Sequence, residues 1–246
     1  MNEIEIVDQL LLDIRAKRYN PDDKFPSENE LADRYKVSRI TVRKAYERLQ
    51  EMGYIYSKQG KGRYLKNRQK QIDLILSGDV SFSEKMRDLG YKLESRNIFC
   101  EEIDYDKKIF KFLGVEKSDK VFKIGRLRII DDRPIALHIS YVAKSLFKDI
   151  DSVGRNITSM FVYYNGKGYF EFYSDKSILT ISFPTSYERK ILKCSSLVPI
   201  LIVTSGCIDK KTDKVLEYTK ILYRTDCFKY VIWQHNTGYK RHCEVI

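Results

Sequence analysis

Two stretches of the chain carry cations at spacings suited to recognising anions. In Ser38-Arg39-Ile40-Thr41-Val42-Arg43-Lys44 the cations are Arg39, Arg43 and Lys44. On a helical wheel at about 100° per residue, Val42, Ala45, Leu49 and Met52 fall on one side. Ile40, Arg43, Lys44 and Glu47 fall on the other, with Arg39 at its edge. One packed face, with cations near the start of the exposed face, suits a helix that enters a major groove. There Arg reads base edges while phosphate contacts fix the register. Ile40 is either set to meet a thymine methyl or is an isolated exposed apolar residue. The second stretch is Arg126-Leu127-Arg128. Strand residues two apart share a face, and two guanidinium forks on one face suit a phosphate or carboxylate. The alternative is that they pair with carboxylates such as Glu217 on a neighbouring strand.

The charge distribution supports a polyanion surface early in the chain. Net charge is +11 over 246 residues. Residues 1–35 hold five Lys/Arg against nine Asp/Glu, whereas residues 36–70 hold eleven against two. A basic block beside an acidic one is either a polyanion-binding face or a solvated one. Catalytic chemistry finds little support. His138, His235 and His242 lie far apart at no catalytic or metal spacing. Cys100, Cys194, Cys207, Cys227 and Cys243 show no metal or redox spacing and read as scattered, reduced core cysteines. Gln59-Gly60-Lys61-Gly62 lacks the Lys-Ser or Lys-Thr of a phosphate-binding loop. No enzyme activity, metal or cofactor is expected. No signal peptide precedes the first amphipathic segment, and the apolar runs are strand-length, well short of a bilayer span. The expectation is a cytoplasmic protein with no membrane partner.

The elements that must position these cations follow from periodicity. Ile4, Ile6, Val7, Leu10, Leu11 and Ile14 predict a first helix ending near Lys17. Ser27-Glu28-Asn29-Glu30 is a capping box opening a second helix with Leu31, Ala32 and Tyr35 buried. Lys36-Val37 turns the chain, and Ser38 caps a third helix running to about Met52. Two aromatic runs, Tyr54–Lys58 and Arg63–Lys66, flank the glycine-containing turn as a basic hairpin. Gln59, Gly60, Lys61 and Gly62 form its tip, whose glycines let the backbone approach a sugar-phosphate strand or a minor groove closely. Residues 1–68 are therefore expected to form a winged helix-turn-helix, 69–79 a linker, and 80–246 a second domain. In the latter, helices are predicted at Ser83–Leu89, Lys107–Leu113, Ile157–Tyr164 and Thr185–Leu192. Strands are predicted at Leu93–Tyr105, Val121–Ile130, Arg133–Val142 and Ser177–Phe183. Pro199–Ile208 and Val215–Trp233 are β-rich. The class is α+β, with a mostly antiparallel sheet carrying helices.

These residues resemble known families. Phe25-Pro26-Ser27-Glu28-Asn29-Glu30-Leu31-Ala32, Val37 to Ala45, Gly53-Tyr54-Ile55 and Gln59-Gly60-Lys61-Gly62 resemble the GntR-type winged helix-turn-helix. The resemblance implies that Ser38, Arg39, Thr41, Arg43 and Gly60 contact double-stranded operator DNA. Glu28 and Asn29 belong to the same expected surface; Asn29 stands where an arginine often contacts DNA. The rest resembles the UTRA ligand-sensing domain of the HutC subfamily. The residues carrying it are Ser81-Phe82-Ser83, Arg126-Leu127-Arg128, Arg133 to Leu137, Ser140-Tyr141, Glu217-Tyr218 and Tyr223 to Asp226. It implies a chorismate-lyase-like fold and a homodimer. It implies a small-molecule effector site drawn from Ser81, Phe82, Ser83, Arg126, Arg128, Ser140, Ser159, Glu217, Tyr218 and Tyr223. His138, where the family usually has an acid, and Phe161, where sugar-phosphate binders often have a tyrosine, complete it. The expected function is transcription regulation, as a repressor released from its operator by a small anionic metabolite such as a sugar phosphate. The alternatives are an activator, a regulator answering to an amino-acid-like or carboxylate ligand, or a lyase-type enzyme.

Overall fold

Short polar side chains start the helices of the N-terminal part. In the computed structural model, which describes residues 1–67, 72–75 and 80–231, Asn2 caps α1 (Glu3–Arg15) and Ser27 caps α2 (Glu28–Tyr35). Both caps are reciprocal: Ser27 Oγ accepts from the Glu30 N–H, and the Glu30 carboxylate accepts from the Ser27 N–H. Lys36 takes a left-handed conformation that ends α2, and Ser38 caps α3 (Arg39–Glu51). The apolar stripes meet in one core of Ile6, Val7, Leu10, Leu31, Ala32, Val42, Ala45, Tyr46 and Leu49. Met52, which the wheel put on this face, packs against the core half-buried, and the wheel missed Tyr46. Tyr46 is fully buried and donates its hydroxyl to the Pro26 carbonyl at 2.6 Å. The hairpin β1 (Ile55–Lys58) and β2 (Gly62–Leu65) follows as expected. Residues 22–25 stitch to β2 through Asp22 N–H to Leu65 O and Phe25 N–H to Arg63 O.

Next come β3 (Ile72–Ile75), α4 (Phe82–Asp88), β4 (Leu93–Glu102), α5 (Lys107–Leu113), β5 (Val121–Ile130) and β6 (Arg133–Ala143). They are followed by α6 (Ile150–Val153), a 3-10 turn (Gly154–Asn156), α7 (Met160–Asn165), β7 (Phe172–Tyr173), β8 (Ser177–Ser182) and α8 (Ser186–Leu192). The last elements are β9 (Ile200–Asp209), β10 (Val215–Arg224) and β11 (Phe228–Val231). The main antiparallel sheet runs β4-β5-β6-β10-β9-β7, with β8 also on β9. Asp131 and Asp132 both take positive φ in the tight turn joining β5 and β6, the geometry that keeps a two-residue hairpin in step with strand twist.

The structure corrects several expectations. Residues 72–75, expected as linker, form β3, which pairs in parallel with β11; a short apolar run finds a strand partner about 150 residues away in sequence, which local composition does not encode. The rest of that linker (69–71 and 76–79), with Trp233, His235, His242 and Cys243, lies outside the described residues. The helix expected from Ile157 begins at Met160, with Ser159 as its cap. The strand expected to reach Tyr105 stops at Glu102, because Asp106 caps α5 and the chain must turn first.

Candidate DNA-binding surface and ligand pocket

Helix α3 presents its expected outer face. Arg39, Ile40, Arg43 and Lys44 are exposed, Ile40 by 64%. Ser38 Oγ accepts from the Thr41 N–H and shares a hydroxyl–hydroxyl hydrogen bond with Thr41 at 2.9 Å. The tip of the hairpin closes over the same region. Gly60 (φ +68°) and Gly62 (φ +114°) bend it, and a Cβ on Gly62 would meet the Lys24 side chain at 2.9 Å. Asn29, Arg39, Gly60, Lys61 and Gly62 line one concavity between α2, α3 and the wing.

Glu28 behaves differently from its neighbours. Its carboxylate accepts from Arg43 at 3.1 Å and Arg63 at 3.0 Å, and Arg39 lies 3.8 Å away. The Arg43 hydrogen bond leads in holding the Glu28 carboxyl below its ordinary range, with Arg63 adding to it. The carboxylate thereby fixes the orientation of the guanidinium groups on this face. Sequence reasoning missed this role, and missed Arg63, because the four residues come together only when wing and helices pack.

The second domain builds its site from strand alternation. Arg126 and Arg128 on β5, His138 and Ser140 on β6, and Glu217, Thr219 and Tyr223 on β10 project from one face of the sheet. Apolar clusters flank this polar band. Ile124, Val142, Met160 and Tyr164 lie on one side; Phe82, Ala136, Tyr223 and Phe228 lie on the other. The roof is α4 and the segment leading into α7. Asn97 on β4 donates to the carbonyls of Gly154 and Ile157, and Ser95 donates to that of Thr158. Ser81 is also the N-cap of α4, paired with Glu84 in a capping box.

Ten of the expected residues line the resulting cavity: Ser81, Phe82, Ser83, Arg126, Arg128, His138, Ser159, Phe161, Glu217 and Tyr223. Two do not. Ser140 is fully buried behind the cavity and accepts from the Arg126 guanidinium. Tyr218 points to the opposite face, against Tyr141 and Phe112. Its neighbours Glu217 and Thr219 face the cavity, and successive strand residues alternate. Lys85, Ser205, Cys207 and Thr219 also line the cavity and were not anticipated.

The electrostatics of this cavity are unusual. Arg126 and Arg128 are 4% and 3% exposed, yet among the described residues neither ion-pairs with a carboxylate. Arg128 donates to Ser95 Oγ and to the Thr158 carbonyl, and the Nε atoms of both arginines have no hydrogen-bond partner. Glu217 instead accepts from Tyr164 at 2.8 Å and Thr219 at 2.6 Å, which removes the reading in which it pairs with the arginines. Burial lowers the pKa of both guanidinium groups, that of Arg128 to about 9 with Arg126's charge contributing. The Glu217 charge offsets this in part without forming an ion pair to either guanidinium, and buried cations lacking a paired carboxylate cost several kcal/mol.

A winged helix-turn-helix joined to a sheet domain with such a pocket defines a DNA-binding transcription regulator with an effector domain. Residues 3–65 match the bacterial regulatory proteins of the gntR family, and residues 88–229 match the UTRA domain. The chain belongs to the GntR family and carries a UTRA domain. The HTH-type transcriptional repressor NagR of Bacillus subtilis (strain 168) is 27% identical over 227 residues, 92% of each chain. The mannosyl-D-glycerate transport/metabolism system repressor MngR of Escherichia coli (strain K12) is 28% identical over 230 residues, 93% of each. PhnF from Mycobacterium smegmatis shares the fold, with a TM-score of 0.61 at 19% identity, covering 92% of this chain and 98% of that one. Among the described residues no helix is long and apolar enough to cross a membrane.

Proposed function

We propose that the chain is a HutC-type repressor that binds operator DNA as a homodimer and leaves it when a small anionic metabolite enters the sheet-domain pocket. Residues 1–68 serve DNA binding, and residues 80–246 serve effector binding and dimerisation. The observation that carries the reading is the pair Arg126 and Arg128, two buried guanidinium groups opening on one cavity without a carboxylate partner. An anionic ligand would supply the missing charge, and a phosphate or carboxylate accepts from both forks. MngR is named for a mannosyl-D-glycerate system, which supports a carbohydrate-derived ligand. On the DNA side, Arg39, Arg43 and Lys44 present donors to base edges and phosphates, and Lys61 at the wing tip presents a phosphate contact. For the dimer, β8 has β9 on one side and exposes Ile178, Leu179 and Ile181. A second copy covers this edge and sets two recognition helices for a two-fold operator.

A thermal-shift screen of the full chain against sugar phosphates, amino acids and small carboxylates tests the pocket. A ligand at about 100 times its Kd should raise Tm by roughly 5–10 °C. The same compound should reduce operator binding, and Arg126→Ala should abolish both effects. A compound that stabilises the Arg126→Ala variant equally well overturns the assignment. Sedimentation of Ile181→Asp tests the dimer edge: monomers support it, and an unchanged dimer rejects it.

A further inference from the structure

His138 sits in the middle of the anion pocket, directly across the β5–β6 ladder from Arg126. Its ring packs edge-on against Phe82 at 4.8 Å and Tyr223 at 5.7 Å. The side chain is 5% exposed, lines the cavity, and leaves Nε2 without a hydrogen-bond partner. The titratable and charged groups around it are Arg126 and Arg128 from β5, Lys85 from α4, Glu217 and Tyr223 from β10, and Cys207 from β9. Tyr164 from α7 holds Glu217 from behind. Burial first, then the charges of Arg128, Arg126 and Lys85, push its pKa well below the ordinary value, which favours the neutral imidazole.

A charge count shows what different ligands ask of this histidine. Two guanidinium groups face the Glu217 carboxylate across the cavity, while Lys85, half-exposed at the rim, acts on the interior more weakly because solvent reaches its ammonium. A singly charged carboxylate ligand brings the interior to neutrality with His138 uncharged. A doubly charged ligand leaves one excess negative charge in a buried space. An imidazolium at His138 cancels that charge, and its N–H becomes a donor to the ligand. Resting on the anion-pocket reading above, we propose that His138 makes this site discriminate by ligand charge, taking up one proton from solvent when a dianion such as a phosphate monoester or sulfate binds and none when a monocarboxylate binds. Dianion affinity therefore rises as pH falls, and monocarboxylate affinity does not. The effect belongs to the pocket, because sulfate itself carries no titrating proton in the neutral range.

Calorimetry of the full chain with sulfate, run at pH 7.5 in buffers of different ionisation enthalpy, reads the proton directly. Close to one proton per sulfate is expected, with about tenfold tighter binding for each pH unit lowered while uptake is complete. Acetate should bind with no uptake. His138→Gln should bind sulfate more weakly, with no uptake and no pH dependence between pH 6 and 8. Histidine ring NMR of the unmodified protein gives a second readout, in which sulfate should convert one imidazole to its protonated form. Sulfate binding without proton uptake, or with the same uptake in His138→Gln, overturns the role of His138 while leaving the anion pocket intact. Sulfate binding that survives Arg126→Met unchanged, or no binding of either anion, overturns the pocket reading as well.

Discussion

At the scale of single residues, arginine is used in two opposite ways. On the DNA side, Arg39, Arg43 and Arg63 gather around Glu28, which holds them in place and cancels part of their charge. Replacing Glu28 with Gln should add one unit of positive charge to the surface and release the guanidinium groups from a fixed orientation. The slope of log K against log salt should steepen by about one, and discrimination between operator and random DNA should fall. Fluorescence anisotropy at several salt concentrations checks both. In the pocket, Arg126 has no such partner. Arg126→Met removes an unpaired buried charge, so the ligand-free protein should be unchanged or more stable by about 1–2 kcal/mol, while stabilisation by an anion is lost. Denaturant unfolding with and without ligand separates these effects.

At the scale of elements, function depends on how each segment begins, bends or alternates. Helix α3 depends on Ser38, which caps it and lies on the surface proposed to meet DNA. Ser38→Ala should cost about 1 kcal/mol of stability, whereas Ser38→Asp keeps the cap and places a negative charge where phosphates approach. Unfolding curves and operator affinity should therefore respond differently to the two changes. The wing should act without reading sequence: Lys61→Ala is expected to weaken all DNA sites alike and reduce the salt slope by about one. A loss confined to one operator sequence would make Lys61 a base reader. Strand alternation explains both what was legible and what was misread in the pocket. Arg126 and Arg128 share a face because they are two apart. Tyr218, one residue from Glu217, is turned against Phe112 and Tyr141 by the same rule.

At the scale of the whole molecule, Asp226 joins the two parts. It lies in the turn between β10 and β11 and accepts from Arg224 at 3.0 Å and from Arg133 at 2.6 Å. Lys66, just after the wing, reaches it at 3.4 Å. Nearby, Gly53 at the end of α3 has φ +76°, and a Cβ there would meet Val198 of the second domain at 2.9 Å. Burial alone would raise the Asp226 carboxyl, but the Arg224 hydrogen bonds and the charges of Arg224, Arg133 and Lys66 hold it well below the usual carboxylate range. A carboxyl depressed in the folded state stabilises the fold above its unfolded pKa, near 4. That contribution is complete at neutral pH and is lost as the pH falls below about 4. Asp226→Asn leaves Arg224 buried without its counter-charge and should cost about 3–5 kcal/mol at pH 7, with a flatter dependence of Tm on pH between 3 and 5. Thermal unfolding across that range measures both.

Much of this organisation is local and could be read from the chain alone. Capping at Ser27 and Ser38, the 3.6-residue stripe of α3, the glycines of the wing and the Asp131-Asp132 turn depend on residues within a few positions of one another. So the winged helix-turn-helix, its cation-bearing face and the strand bearing both arginines were legible before any fold was known. What only the tertiary structure decided depends on distant partners: the pairing of β3 with β11, the gathering of three arginines on Glu28, the placing of Ser140 behind the pocket rather than in it, and the attachment of Lys66 to Asp226. The choice of Tyr164 and Thr219 over arginine as partners for Glu217 belongs here too. It depends on which side chains from α7 and β10 converge in a buried space, and that convergence leaves Arg126 and Arg128 enclosed at the cavity without an ion pair.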